Sequence, residues 1–342
     1  MQYTDYAIEQ IITLCKTPSP SGFTQKASAY LAKELKSLGF EAEFSRKGSV
    51  LATLGGEGDP LVLAAHVDTL GAMVRSIKPN GRLRFTKIGV YPENNIENEN
   101  VIIHTRDGKE YSGTVYINGP AAHVYRDSGS AKRDDEHMEI VLDEIVKSKE
   151  DTLKLGISAG DFITLDPRTV YTASGFLKTR HLDDKASAGI LLALAKAVSE
   201  KKLTLGRKVS ILFTTYEEVG HGAASGFPAD TIEMISVDMG AVGEDLSTDE
   251  YCVSICAKDS GGPYDWDVTD RLIRLAKQHK LQYAVDIYPY YGSDVEGALR
   301  AGHDIKHGLI GPGVFASHGY ERTHKQAIEN TLKLLWEYLR PA

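Results

Sequence analysis

The segment Pro60-Leu-Val-Leu-Ala-Ala-His-Val-Asp68 decides the fold class of this chain. It is an uninterrupted apolar run whose charged and ionisable residues stand only at its C-terminal end. A strand that is buried on both faces, in a parallel sheet covered by helices, has this pattern. The segment therefore predicts a central strand with His66 and Asp68 at its carboxyl end.

The sequence on both sides of this strand alternates between helix and strand patterns. Before it, apolar residues recur at helical spacing at Leu31, Leu35 and Leu38. Well after it, two more strand patterns at 209–215 and 234–238 alternate with helical segments. This alternation predicts an α/β sheet with helices on both faces.

Residues 71–170 have a different texture. Short alternating segments at 82–85, 101–105, 114–117, 140–142 and 162–165 are separated by Gly, Pro, Asn and Asp. Such segments are typical of a small β-rich domain, for example a barrel. We therefore predict an α/β domain formed by 1–70 and 171–342, interrupted by an inserted β-rich domain at 71–170.

The composition argues against several classes of protein. A net charge of −8 disfavours a nucleic-acid binder, which needs clustered Lys and Arg. No apolar run approaches the ~20 residues that span a bilayer, and the N-terminus lacks the features of a signal peptide. Cys15, Cys252 and Cys256 form no CxxC pair, which disfavours a disulfide framework. We expect a cytoplasmic protein without nucleic-acid or membrane partners.

Candidate functional residues follow the predicted strands, at the sheet edge where open α/β folds bind ligands. His66 and Asp68 are two residues apart and so share a face, and Asp68 could orient the His66 ring. A surface histidine beside an aspartate explains this pair equally well. Asp183 precedes an apolar helix, where an aspartate is more often an N-cap than a metal ligand.

Two further strand ends carry carboxylates. Glu217 and Glu218 are adjacent, which is costly unless a cation neutralises them; a solvated pair is the simpler alternative. Neighbouring strand residues point to opposite sides, which disfavours a glycosidase acid/base pair. Asp238 ends another strand, where aspartate commonly forms a turn. His318 lies in a loop before the last helix.

These residues together form a ligand set of nitrogen and oxygen atoms without sulfur: His66, Asp183, Glu218, Asp238 and His318. Such a set suits Zn²⁺, with Co²⁺ or Mn²⁺ as alternatives. It can hold two divalent ions if one carboxylate bridges them, and Glu217 would then be the general base on the shared water.

The motifs resemble, in order and spacing, those of the tetrahedral-type di-zinc aminopeptidases, also called glutamyl or deblocking aminopeptidases, some of which carry an endoglucanase label. The resemblance spans nearly the whole chain and rests on Pro18-Ser-Pro-Ser-Gly22, Ala65-His-Val-Asp68, Gly156-Ile-Ser-Ala-Gly-Asp161, Leu182-Asp-Asp-Lys185, Tyr216-Glu-Glu-Val-Gly220, Val237-Asp238 and Gly292-Ser-Asp294. It implies a zinc-exopeptidase-like α/β sandwich with a mixed, mostly parallel sheet and an inserted small β-barrel-like domain.

The resemblance also implies roles for single residues. His66 and Asp238 would bind one metal, Glu218 and His318 the other, and Asp183 would bridge them. Glu217 takes the position of the base and Asp68 that of the carboxylate behind the first histidine. A cis peptide bond is implied between Asp183 and Asp184. The insertion would be a dimerisation domain, with His123 in its Pro-Pro-His-like element.

The chain departs from the family pattern at four places. Lys185 stands where an arginine is usual, and His181 where a small residue is usual. The last histidine lies in Phe315-Ala-Ser-His318-Gly-Tyr-Glu321-Arg, which differs from the usual element of the family. The resemblance therefore does not indicate the shape of the substrate pocket or the preferred substrate. Lys47-Gly48-Ser49 replaces a Gly-Asn turn without functional weight.

We therefore predict a two-metal aminopeptidase that removes the N-terminal residue from short peptides and assembles as a dimer or a dodecamer of dimers. One alternative is a related two-metal amidohydrolase, an N-acyl amino acid deacylase or a carboxypeptidase. Another is a catalytically silent assembly protein, against which the intact Glu217–Glu218 pair argues.

Overall fold

The computed structural model describes residues 2–341, which divide into two compact units. The first combines Met1–Thr69 with Arg168–Ala342, and the second is Leu70–Pro167. The insertion predicted at 71–170 differs from the second unit by one residue at its start and by three at its end. Its role in dimerisation stays a prediction.

The first unit contains all the longer helices and a mixed sheet. Its helices are α1 (Gln2–Cys15), α2 (Gln25–Ser37), α4 (Leu182–Ser199), α5 (Trp266–Gln278), α6 (Asp294–Arg300) and α7 (Lys325–Leu339), with α3 (Lys149–Lys154) belonging to the second unit. Its strands are β1 (Glu43–Phe44), β2 (Val50–Gly55), β3 (Leu61–His66), β10 (Val170–Tyr171), β11 (Phe176–Thr179), β12 (Val209–Thr214), β13 (Glu233–Val237), β14 (Gly240–Ala241), β15 (Val253–Lys258), β16 (Tyr283–Ile287), β17 (Lys306–Val314) and β18 (Glu321–His324).

The main sheet confirms the predicted α/β class. Its order is β1-β2-β12-β3-β13-β17-β15-β16, with β14 paired to β17. The apolar run that predicted a central strand is β3, whose residues are all buried. It pairs in parallel with β12 on one side and β13 on the other. The carboxyl ends of these three strands therefore meet at one edge of the sheet.

Helix α4 is buried along almost its whole length and lies in the main hydrophobic core. A helix that is apolar on all sides belongs in a core rather than at a surface. Gly189 lets α1 approach closely, because a Cβ there would lie 2.5 Å from Ile11 Cγ1 and 2.9 Å from the Ala7 carbonyl oxygen. Glycine at this position therefore allows α1 and α4 to pack closely in the core.

The second unit is a closed antiparallel barrel, as the alternating segments predicted. Its strands are β4 (Gly71–Ile77), β5 (Leu83–Ile88), β6 (Asn100–His104), β7 (Glu110–Ile117), β8 (Met138–Leu142) and β9 (Phe162–Leu165). They close in the order β4-β5-β8-β7-β6-β9 around a separate apolar core.

Of the described helices, none is both long and apolar enough to cross a membrane.

Candidate metal centre

Three of the predicted ligands converge at the carboxyl edge of the main sheet. His66 ends β3, Asp238 follows β13, and Asp183 lies at the start of α4. One potential ligand atom from each lies within 4.8 Å of the other two, and all three residues are buried. His66 Nε2 is 3.0 Å from Asp183 Oδ1. Parallel pairing of β3 with β13 brings the first two together, and the packing of α4 adds the third.

The other two predicted ligands lie on the opposite side of Asp183. His318 Nε2 is 3.2 Å from Asp183 Oδ2 and 3.7 Å from Glu218 Oε2. The two oxygens of the Asp183 carboxylate therefore face different histidines, His66 through Oδ1 and His318 through Oδ2. A carboxylate in this orientation can bind a cation through each oxygen.

The backbone at the start of α4 is irregular. The Asp183–Asp184 peptide bond is cis, as the resemblance implied, and both residues have non-helical φ and ψ angles. Asp184 Oδ2 accepts a hydrogen bond from the His66 amide at 3.2 Å. His181, at the N-cap of α4, is buried with a left-handed φ of 71° but lies outside the cluster of potential metal ligands found among the described residues.

Asp68 is completely buried and binds the segment that carries the two glutamates. Its Oδ1 accepts from the Glu217 amide at 3.1 Å, and its Oδ2 accepts from the Glu218 amide at 3.3 Å. Ser21 Oγ donates to the same Oδ2 at 2.5 Å. Asp68 therefore fixes the backbone of Glu217 and Glu218 relative to β3.

The partner of the His66 ring differs from the sequence-based expectation. We expected the Asp68 carboxylate to orient the ring through its second nitrogen. His66 Nδ1 instead lies 2.9 Å from the Asp68 backbone oxygen and 3.6 Å from its Oδ1. The carbonyl is thus the hydrogen-bond acceptor, because the carboxylate is drawn toward the amides of the glutamate segment.

The centre contains more carboxyl groups than its own histidines could balance if all of them were ionised. Burial, with the Asp183 charge adding to it, raises the pKa of Glu218 to about 8 and that of Asp238 to about 7. Burial also raises the pKa of Glu217 well above its usual value. Desolvation lowers the pKa of His66, but Asp183 and the other nearby carboxylates outweigh it and hold that pKa well above its usual value. A bound cation would relieve this excess.

Asp294 is a functional candidate to which the sequence analysis gave no role beyond its place in a motif. It is buried at the start of α6. Thr214 Oγ1 donates to both of its oxygens, at 2.8 and 2.9 Å, and its carboxylate also accepts from the Ala223 backbone. Thr214 and Ala223 flank the segment that contains Glu217 and Glu218. Only this long-range contact identifies Asp294, since the sequence around it offers no strand-end pattern.

The structure also places Lys185 and His123, which the sequence analysis named, and a further histidine, His324. Lys185 is fully buried, and its Nζ donates to the Thr17 carbonyl oxygen at 2.7 Å. It therefore holds the N-terminal loop that also contains Ser21. His324 is the N-cap of α7, where its ring accepts a hydrogen bond from the Gln326 amide. His123 is exposed in the loop between β7 and β8.

The pattern of the M42 glutamyl aminopeptidase family matches residues 48–334 of this chain. The chain is 47% identical over 335 residues to the Bacillus subtilis (strain 168) protein named "Putative aminopeptidase YhfE", with 97% of each chain covered. Its fold is similar to that of a TET aminopeptidase from a marine sediment Thaumarchaeota archaeon, with a TM-score of 0.88 and 20% identity over 98% of this chain and 96% of the other.

The fold is also similar to the Pyrococcus horikoshii TET1 peptidase, which can assemble into a tetrahedron or a large octahedral shell. That comparison has a TM-score of 0.85 and 22% identity, and covers 98% of this chain and all of the other. The match to the family pattern extends from β2 into α7 and so includes every residue of the candidate centre. The chain therefore belongs to the M42 glutamyl aminopeptidase family and is a peptide hydrolase.

Proposed function

We propose that the protein is a two-metal aminopeptidase in which Glu217 is the general base. His66 and Asp238 would hold one divalent ion, Glu218 and His318 the other, and Asp183 would bridge the pair. The observation that supports this most is the Asp183 carboxylate, whose two oxygens face two different histidines at 3.0 and 3.2 Å.

The chemistry of the ligand set supports the binding of divalent ions. The set consists of imidazole nitrogens and carboxylate oxygens, the donors that Zn²⁺ binds in hydrolytic sites, and Co²⁺ or Mn²⁺ accept the same set. Glu218 Oε1 is buried and has no hydrogen-bond partner among the described residues. A buried carboxylate oxygen without a partner is costly, and a metal ion supplies one.

The ions, when bound, would supply Lewis acidity to the scissile carbonyl and to the attacking water. Glu217 is suited to move the proton, because 16% of its side chain is exposed and its Oε2 lies 3.8 Å from His66 Nε2. Its carboxylate would accept a proton from the water as the water oxygen bonds to the carbonyl carbon. It would then donate that proton to the amine nitrogen as the C–N bond breaks. Asp68 would keep Glu217 oriented through the backbone amide.

The proposed substrates are short peptides with a free N-terminus. We also propose that the chain forms a homo-oligomer, a dimer or a dodecamer of dimers, through the barrel unit. The assembly of the Pyrococcus horikoshii TET1 peptidase supports this by similarity of fold. The cytoplasmic location expected from the sequence stays a prediction.

A substrate panel separates the proposal from its alternatives. The metal-reconstituted protein is assayed on aminoacyl-p-nitroanilides and, in parallel, on N-acetyl amino acids and peptides blocked at the N-terminus. We expect cleavage of the substrates with a free amine only. Cleavage of N-acetyl amino acids alone would identify a deacylase, and release of C-terminal residues a carboxypeptidase; no hydrolysis with any divalent metal would favour a silent assembly protein.

A further inference from the structure

Glu321 is a buried acid to which neither the sequence analysis nor the proposed mechanism gives a role. Only 1% of its surface is exposed. It begins β18, and the antiparallel pairing of β18 with β11 places it opposite Thr179. Since β11 leads directly into the start of α4, this pairing brings the Glu321 carboxylate to the backbone of Asp183.

Each oxygen of Glu321 accepts a hydrogen bond from the backbone of a candidate ligand. Oε2 accepts from the Asp183 amide at 3.2 Å, and Oε1 accepts from the His318 amide at 2.9 Å. An ionised carboxylate accepts at both oxygens, whereas a side-chain amide has one accepting oxygen and one donating NH₂ group. The two hydrogen bonds therefore suit a carboxylate better than a side-chain amide of the same length.

The two hydrogen bonds join segments that are far apart in sequence but whose side chains meet. His318 Nε2 and Asp183 Oδ2 are 3.2 Å apart. His318 lies in a turn with a left-handed φ of 61°, closed by the hydrogen bond from the Gly319 amide to the Ala316 carbonyl at 3.0 Å. A turn of this kind does not by itself fix where the His318 ring lies relative to α4, and the shared carboxylate does.

We propose that Glu321 is a positioning residue for the metal centre. By holding the backbones of Asp183 and His318 against each other, it sets the separation of the two ligand atoms on the His318 side. The inference rests on the proposed function, because it requires those two side chains to bind metal. It also accounts for how the altered sequence around His318 keeps that histidine in place.

The variant Glu321→Gln tests the inference most sharply. It preserves size but turns a donating NH₂ group toward one of the two backbone amides. We expect the affinity of the Zn²⁺ ion on the His318 side to fall about 10- to 100-fold, as for other residues that orient ligands, and the affinity of the other ion to fall less, because Asp183 is its only proposed ligand that Glu321 positions. Zinc titration against a chelator and elemental analysis measure this, and excess zinc should restore kcat.

Thr323→Val is the matched control. Thr323 is buried in the same strand, and its hydroxyl donates to the Gly313 carbonyl at 2.7 Å without touching a candidate ligand. We expect it to bind both ions like the wild type. If Glu321→Gln does not fold, Glu321→Asp keeps the charge but is too short to reach both amides, and the same selective loss is expected.

The outcomes separate this inference from the proposed function. Wild-type zinc affinity for both ions in the Glu321 variants, or equal weakening in Thr323→Val, would overturn the positioning role alone. A wild-type chain that binds no divalent ion would overturn the proposed function and this inference with it.

Discussion

In the proposed mechanism, two adjacent carboxylates have different roles, since Glu217 is the base and Glu218 binds metal. Glu217 and Glu218 are adjacent and both bound through their amides to Asp68, yet they differ in surroundings. Glu218 Oε2 lies 3.7 Å from His318, whereas 16% of the Glu217 side chain is open to solvent. The two residues should therefore have separable effects on metal binding and on proton transfer.

Glu217→Gln should lower kcat by about 10²- to 10⁴-fold, because the amide cannot accept and return a proton. KM and the number of bound ions should stay close to wild type, since Glu217 is not among the proposed ligands. Steady-state kinetics on an aminoacyl-p-nitroanilide, with zinc content measured on the same sample, check this. Glu218→Gln is the comparison variant and should lose metal. Full activity in Glu217→Gln would refute the proposed mechanism.

The Ser21 hydroxyl donates a hydrogen bond to Asp68. Its removal tests whether Asp68 must be held in place to orient the proposed base, Glu217. Among the residues that the structure describes, Ser21→Ala leaves Asp68 Oδ2 with the longer hydrogen bond from the Glu218 amide, at 3.3 Å. A lost partner of a buried carboxylate costs about 1–3 kcal/mol. We expect kcat to fall severalfold and KM to change little, and Ser21→Thr should restore activity. Equal kinetics for Ser21→Ala and wild type would show that the other contacts suffice.

At the level of elements, the loop between β12 and the short 3₁₀ helix Gly222–Ala224 depends on a close approach to α6. A Cβ at Gly222 would lie 2.0 Å from Asp294 Oδ1 and 3.1 Å from Thr214 Oγ1. Neither atom can move freely, because the two are hydrogen-bonded to each other. Glycine is thus required for the loop that carries Glu217 to close against α6.

Gly222→Ala should therefore destabilise the protein by about 1–3 kcal/mol through overpacking and lower kcat at least tenfold by displacing Glu217. Urea unfolding and steady-state kinetics measure the two effects. Gly243→Ala is the control, since its Cβ would meet nothing closer than Leu246 Cδ1 at 3.8 Å. The same loss in both variants would argue against a specific role for the Asp294 contact.

A second element-level feature links α6 to the loop after β15. Glu296 is buried on α6, and burial together with a hydrogen bond to Asp259 raises its pKa to about 8. Tyr264 Oη also donates to Asp259, at 2.6 Å, and Arg300 lies 3.3 Å from Glu296 with most of its side chain exposed. In the folded protein Glu296 therefore keeps a proton that the unfolded chain releases near pH 4.5.

Because the folded state binds this extra proton between about pH 4.5 and 8, it loses stability as the pH rises through that window. Glu296→Gln removes the titration but keeps a donor for Asp259. The free energy of unfolding of the variant, minus that of the wild type, should therefore increase from pH 5 to pH 8. Urea unfolding at several pH values measures this difference. The contributions of the other titrating acids are the same in both proteins and therefore cancel. Glu144→Gln, at an exposed position, should show no such trend.

For the whole molecule, the barrel unit presents large apolar side chains to solvent. Ile145 is 94% exposed, Val90 78% and Val124 71%. Single exposed apolar residues are common, but assembly through this unit would bury some of them. We expect light scattering to give a particle at least twice as heavy as the 37.4 kDa chain.

Ile145→Asp should lower that mass or make it depend on protein concentration, because a carboxylate is costly in a closed interface. Lys147→Asp changes charge at an exposed neighbouring position and serves as the control. A single-chain mass for the wild type would contradict the assembly proposal itself. An unchanged large mass in Ile145→Asp would exclude only this position from the interface.

The strands, the barrel and the candidate ligands could be predicted from the sequence, because each depends on residues that are close together along the chain. The apolar run 60–68 predicted a buried central strand, and the alternating segments predicted the barrel. Strand ends pointed to His66, Glu218 and Asp238, and the segments before two helices pointed to Asp183 and His318. Burial pattern and position relative to a strand are local properties, so they can be read along the chain. The ordered motifs then pointed to the family, to which the chain belongs.

Tertiary structure alone decided the contacts between distant segments. In the folded structure the His66 ring is hydrogen-bonded to the Asp68 backbone carbonyl and not to the Asp68 carboxylate. Thr214 donates a hydrogen bond to Asp294, and the amides of Asp183 and His318 both donate to Glu321. Each of these hydrogen bonds joins groups whose distance follows from strand pairing and helix packing. No spacing within the sequence encodes that distance, because it is set only once the sheet and the helices around it have formed.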